Sequence, residues 1–343
     1  MPTLPSAPLV YFQIKNLEAE EANFLNNQTS NPNFTYSNYY NQETINSAKQ
    51  AHPGQGMDLV ESSFKLQSDA SELENFKRLN RELYGEPSKE IAEKIIQFFA
   101  GNHTFVSPEV FNTYREYLKQ YFGDNFKVDF DNLESALTYY FRLSDLTAQG
   151  WRLKESSTAM TTRTISRIKT ITYNRNHTSI HPRAYAAIAL HEIYGHALHP
   201  VEKPATTNLL KASEGYAIFL EQLVHPNFRI HRSLRYLALS FAFGLTDGTP
   251  KNFRDTYNVL YDFCIKNSGK DYPSIYPKDI EHRVFLETAR IFRGGRPDLP
   301  GAVFTKDLIY FEGNIAIWQS LNERPLQFYE FYDIIKGDKV IQL

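Results

Sequence analysis

From about residue 58 onward, apolar side chains recur at spacings of three and four, the mark of helices that bury one face. EIAEKIIQFFAG follows Pro87-Ser88, and its spacing predicts a helix there. Ser107-Pro108-Glu109 predicts a second, with serine as the cap and proline in the first turn, ending near Gly123. Asp131 and Glu134 have the spacing of a capping box ahead of SALTYYF. The pattern then changes: residues 162–174, TRTISRIKTITYN, are rich in Thr and Ile and predict a strand. Pro182 opens a further helix, RAYAAIALHEIYGHALH, and ASEGYAIFLEQLV predicts another after a loop. More are expected near 231–243, 251–266 and 279–292, then a short turn and one or two helices from Asp307. Residues 16–57 differ. Asn, Gln, Ser and Thr dominate, and NNQTSNPNF and AHPGQG are turn-like. Residues 1–57 therefore read as an irregular wrapping segment, with 16–57 alternatively a partly mobile arm. The expected architecture is α+β and mostly helical, a single domain over 58–343 with 58–150 as a candidate helical subdomain. A small sheet should precede the HEIYGH helix.

Composition narrows the function. The 343 residues carry 37 Lys and Arg against 39 Asp and Glu, a net charge of −2, which argues against a general nucleic-acid binder. The lone cysteine, Cys264, excludes an intrachain disulfide. Its setting, NVLYDFCIK, predicts a buried inert thiol, and a cytoplasmic, reducing compartment is expected. The N-terminus has no basic region ahead of its short apolar run, so no signal peptide is read. No stretch approaches ~18 uninterrupted apolar residues, so no membrane span is expected.

The chemistry lies in HEIYGH. Neutral imidazoles suit zinc, and a catalytic zinc needs three protein ligands and an open position for water. His191 and His196 are five residues apart, where the familiar motif has four. On a regular α-helix five steps leave the two rings roughly 140° apart. A π-type widening of the turn would bring them together, and Gly195, inside that turn, makes the distortion cheaper. The third ligand should come from the next predicted helix, where Glu214 and Glu221 lie seven apart on one face. Glu214, beside Gly215, is taken as the ligand. Glu221 is read as a solvated helix residue in preference to a carboxylate that orients a histidine, and His199 as a structural or supporting histidine. Glu192, next to a ligand, is the candidate general base. A structural zinc site fits less well, because such sites are usually cysteine-rich.

These residues resemble a known family. HEIYGH is similar to the HExxxH of the tubulin tyrosine carboxypeptidases, and SEGYA, with Glu214, to the EEGLA or QEGLA of those enzymes and their bacterial QEGLA-motif (flavohaemoglobin expression-modulating) relatives. Arg290-Ile291-Phe292-Arg293-Gly294 resembles a downstream RxxRG, FTKDLIYFEG at 304–313 a later FTKDxxYxxG, and NPNFTY at 31–36 an upstream NPxFxY. The resemblance runs across most of the chain in order. It departs in three places: the small residue of the family's HEIGTH moves one place, Tyr216 stands for Leu, and the segment between His196 and Glu214 is shorter than in the animal enzymes. It implies a Zn2+ carboxypeptidase that hydrolyses the last peptide bond of a protein or peptide, with an aromatic residue as the candidate released. Arg290, Arg293 or Lys306 would hold the terminal carboxylate by charge-assisted bonds, and the Tyr310 hydroxyl would stabilise the oxyanion. A blander alternative has Arg290 and Arg293 capping a helix end before Gly294-Gly295. HExxGH is also similar to the dipeptidyl peptidase III motif, an aminopeptidase signature, although that family's EExxAE-type second motif is not evident. A further alternative is a peptide-binding relative without turnover. Glu192 favours the enzyme, since a pure binder needs no base beside the metal.

Overall fold

The computed structural model describes residues 8–27, 29–156, 162–176, 182–200, 206–230, 232–267 and 280–339. Residues 1–7 and 28 of the N-terminal segment, 231 of the helix expected near 231–243 and 279 of that expected near 279–292 lie outside them.

Among the described residues the chain is mostly helical with one small sheet. The first stretch holds α1 (Pro8–Tyr11), α2 (Leu17–Asn26), α3 (Gln42–Ala51), α4 (Gln55–Leu66), α5 (Leu73–Tyr84) and α6 (Lys89–Phe99). The second holds α7 (Pro108–Phe122), α8 (Leu133–Leu143), strands β1 (Arg152–Glu155), β2 (Arg163–Ile165) and β3 (Thr170–Tyr173), and α9 (Pro182–Leu190). A seven-residue π-helical segment, His191–Ala197, continues α9, and α10 (Thr207–Leu223) follows. Then come α11 (Ser233–Ala242), α12 (Phe253–Asn267) and α13 (Ile280–Phe292), and finally α14 (Asp307–Glu323) and α15 (Phe328–Lys336). The chain divides into two compact units, each drawn from two stretches: Met1–His103 with Arg232–Leu308, and Thr104–His231 with Ile309–Leu343. Neither unit ends at residue 57 or 150, the boundaries read from composition.

In the first unit the N-terminal segment is more ordered than its composition suggests. α2 buries only Phe24, and α3 only Ile45 and Ala48, so there is too little apolar periodicity for sequence to register. Asn41 caps α3 by accepting from Thr44 N at 2.9 Å. Phe24 sits among Phe253, Tyr257 and Phe285, with centroids 4.9–5.3 Å apart. The Arg254 guanidinium lies over the Phe24 face and donates to the carbonyls of Phe24, Asn27 and Ser30. The Tyr36 hydroxyl accepts from Gly294 N at 3.0 Å and donates to Gly295 O at 3.3 Å. Two of the sequence blocks singled out above, 31–36 and 290–294, therefore meet in space.

In the second unit, Ser107 caps α7 as expected, but the capping box placed on Asp131 is shifted. Asn132 is the cap and accepts from Ser135 N at 2.8 Å. Glu134 instead pairs with Arg175 and accepts from the Tyr173 hydroxyl. The single strand expected at 162–174 is two strands. A short 3-10 turn at Ser166–Ile168 and Lys169, at φ 46°, fold β2 back antiparallel on β3, with Thr164 opposite Ile171. β1 joins the other side in parallel, giving the order β1-β3-β2. β2 is thus an edge strand and packs against the π-helical segment. The core gathers round the buried Trp318, whose ring centroid is 4.9 Å from that of Phe219 and whose Nε1 donates to Gln222 Oε1 at 2.7 Å. No helix among the described residues is long and apolar enough to cross a membrane.

Candidate metal centre

The turn that carries HEIYGH is widened as the five-residue spacing requires. Leu198 N donates to Ile193 O at 3.0 Å, an i→i−5 bond in place of i→i−4. The extra residue swings His196 back over His191. Their ring centroids are 4.7 Å apart at 83°, and the two Nε2 atoms are 3.1 Å apart. α10 brings the third group: Glu214 Oε2 lies 3.7 Å from His191 Nε2 and 3.4 Å from His196 Nε2. The ligand atoms of His191, His196 and Glu214 all fall within 4.8 Å of one another, close enough to hold one metal ion. All of these residues belong to the second unit.

Glycine permits the closeness. A Cβ on Gly195 would stand 2.6 Å from the Ala217 Cβ and 2.9 Å from its Cα. Backbone softness is thus only part of the reason for glycine in that turn; the approach of α10 is the stronger one. Gly215, read from sequence as leaving room beside Glu214, has the same role on another face. A Cβ there would lie 2.2 Å from the Gly313 carbonyl carbon on α14, and one on Gly313 would lie 2.0 Å from Lys211 O. Gln222 fixes this contact from the side, exchanging hydrogen bonds of 3.1 and 3.0 Å with Asn314.

The surroundings hold each group in place. Glu221 Oε1 is 2.6 Å from His191 Nδ1 and the side chain is mostly buried, so the solvated reading of Glu221 is corrected. Its carboxylate stands where it can orient the His191 ring, the reading weighed above against the solvated one. Ser213 Oγ is 3.2 Å from His196 Nδ1. On the far side of the motif, Thr164 Oγ1 lies 2.6 Å from Glu192 Oε2. The sequence assigns no role to Ser213 or Thr164, and Thr164 carries no sequence signal, since only the folding of β2 onto the widened turn brings it there.

Charge follows this arrangement. Burial draws the His191 imidazole toward its neutral form, but Glu221, Glu192 and Glu214 outweigh burial and raise its pKa above the ordinary histidine value. Two imidazoles and three carboxylates in a mostly buried setting form a site that favours a cation.

The other expected residues are placed as follows. His199 is outside the triad, its ring 5.0 Å from that of Tyr216, and burial lowers its pKa. Tyr310 is buried in the first turn of α14, in the second unit. Arg290, Arg293 and Lys306 belong to the first unit. There Arg290 Nε donates to Asp307 Oδ1 and Oδ2 at 3.0 and 3.1 Å, and Arg293 Nη2 to Oδ2 at 3.3 Å. Arg235 approaches the same carboxylate at 3.5 Å and Glu287 at 2.5 Å. Burial would raise the Asp307 carboxyl, but Arg290, Arg293, Arg235 and Arg232 outweigh it and hold it well below the usual carboxylate range. Both arginines thus bind a carboxylate, and it is one the chain itself supplies. Cys264 is buried, its thiol pushed up to about 12 by desolvation, as an inert thiol would be.

A search with family models finds no match to this chain, and a search of curated proteins finds none either.

Proposed function

We propose that the chain is a zinc-dependent metallopeptidase of zincin-like architecture, with His191, His196 and Glu214 as ligands and Glu192 as general base. The observation that carries the reading is the convergence of the three ligand atoms. Sides of 3.1, 3.4 and 3.7 Å make a triangle whose centre is about 2.0 Å from each corner, the length of a zinc–nitrogen or zinc–oxygen bond. Two nitrogens and one oxygen are a donor set suited to zinc, and three protein ligands are the number a catalytic site uses. When bound, zinc supplies Lewis acidity, polarising a carbonyl and lowering the pKa of water toward ~7.

The chain's own residues supply the rest. Glu192 takes a proton from the attacking water and passes it to the leaving nitrogen. Glu221 and Ser213 hold the two imidazoles by their Nδ1 atoms, leaving both Nε2 atoms turned to the triad. The edge strand β2 beside the motif offers backbone groups to an extended peptide.

Carboxypeptidase action, with release of one C-terminal residue and an aromatic one as the candidate, extends this reading through the resemblance to the tubulin tyrosine carboxypeptidases. Its support is the cationic residues of the matched blocks, Arg290, Arg293 and Lys306, of which the arginines also serve Asp307. Tyr310 is the hydroxyl proposed for the oxyanion. A cytoplasmic setting is part of the same reading and rests on the lone buried thiol. The test is elemental analysis of the purified protein, followed by a peptide library of varied C-termini read by mass spectrometry. One zinc per chain and metal-dependent loss of single C-terminal residues are expected. A protein that binds no zinc, or that binds it and leaves every peptide intact, would overturn the proposal.

A further inference from the structure

Glu192 has two carboxylate oxygens, and proton transfer uses one. Thr164 Oγ1 lies 2.6 Å from Glu192 Oε2 and 3.0 Å from the carbonyl oxygen of the same residue. Oε1 accepts no hydrogen bond from the described residues, although Glu192 as a whole is only 7% exposed. The hydroxyl is itself held in place. Thr164 is the middle residue of β2 and pairs with Ile171, which is fully buried in β3. A β-branched side chain on a paired strand is stiff at χ1. The donor thus stands on a paired strand, and the acceptor on a long side chain with several torsions to fix.

We infer that Thr164 is a positioning residue for the base: its hydroxyl fixes Oε2 and leaves Oε1 as the oxygen that carries the proton. The inference rests on the reading of Glu192 given above. In the step it serves, a water oxygen bonds to the carbonyl carbon and the water's proton goes to Glu192 Oε1. The carbon–nitrogen bond then breaks, and that proton passes to the leaving nitrogen. Thr164 keeps its own proton throughout, so it neither donates to nor accepts from the substrate. Its contribution is alignment, and misplacement of a reacting group by about 1 Å can cost on the order of a hundredfold in rate.

A purely structural role, tying β2 to the π-helical segment through the Glu192 carbonyl, predicts a different outcome, and two substitutions separate them. Thr164→Val keeps the shape and removes the hydroxyl; Thr164→Ser keeps the hydroxyl. With the full-length protein and a cleaved library peptide, Thr164→Val should lower kcat about ten- to hundredfold, with KM within about twofold. Zinc content and thermal midpoint should stay at wild-type values, and Thr164→Ser should recover kcat to within about threefold. In a Glu192→Gln background, Thr164→Val should cost little more, because it acts through the group already lost. A crystal structure of Thr164→Val should show the Glu192 carboxylate turned or spread over more than one rotamer. An unchanged kcat, an unmoved carboxylate, or an equal loss in the Glu192→Gln background would overturn the inference while leaving the metallopeptidase reading intact. A wild-type protein that cleaves nothing would remove both.

Discussion

Glu221 Oε1 lies 2.6 Å from His191 Nδ1, on the side of the ring away from His196 and Glu214. The contact separates holding a metal from holding a ligand. His191→Ala, His196→Ala and Glu214→Ala should each abolish metal binding, whereas Glu221→Gln should keep one metal per chain and weaken affinity about 10- to 100-fold. Competition with a chromophoric chelator measures both effects. Loss of the metal in Glu221→Ala with full retention in Glu214→Ala would exchange the two assignments.

Glu192→Gln removes the proposed base and keeps its shape. The metal and peptide binding should persist while kcat falls by about 10²-fold or more. Isothermal titration with an uncleaved peptide checks binding, and single-turnover kinetics checks the chemistry. Turnover near the wild-type rate would rule Glu192 out as base.

Polarity is tested by capping the substrate. A charge-assisted bond to a terminal carboxylate is worth about 1.5–3 kcal/mol, so amidating a peptide's C-terminus should lower kcat/KM at least tenfold. Arg293→Ala or Lys306→Ala should erase that difference. Sensitivity to N-terminal acetylation alone would point to aminopeptidase action.

Asp307 yields a stability prediction with a defined sign. Its carboxyl sits well below the ordinary value in the folded state, so its contribution is complete above about pH 4 and is lost as pH falls through the folded value. Asp307→Asn should destabilise by about 3–5 kcal/mol at pH 7, the usual cost of leaving buried partners without their counter-charge. At pH 3 the gap between wild type and variant should narrow by about 1 kcal/mol. Urea denaturation at the two pH values measures it.

The helical glycines sort by what a methyl would meet. Gly215→Ala places a Cβ 2.2 Å from backbone carbon and should cost about 1–3 kcal/mol or more, with loss of metal affinity as Glu214 shifts. Gly56→Ala, in α4, meets nothing nearer than 3.6 Å and should stabilise by about 0.5–1 kcal/mol. Thermal melts of the two variants provide the comparison.

Much of this could be read from the sequence where periodicity and spacing carried it. The five-residue separation of the histidines demanded a widened turn, and the chain provides one; Ser88 and Ser107 cap the helices they precede. Where the signal was weak, the reading failed for physical reasons. α2 and α3 bury three apolar residues between them and are fastened by polar contacts to distant residues, as Arg254 fastens Phe24. The break between β2 and β3 turns on one left-handed residue, Lys169, that composition does not mark. Glu221 and Thr164 act through contacts of 2.6 Å that exist only once helix and strand are packed.

The interleaving of the two units has a consequence for synthesis. The proposed ligands and base lie between residues 191 and 214, yet Gly313, against which Gly215 packs, belongs to a stretch made almost a hundred residues later. On the ribosome the motif helix therefore emerges well before the helix that seats α10. A nascent chain stalled before α14 should therefore carry every proposed ligand and hold a metal poorly.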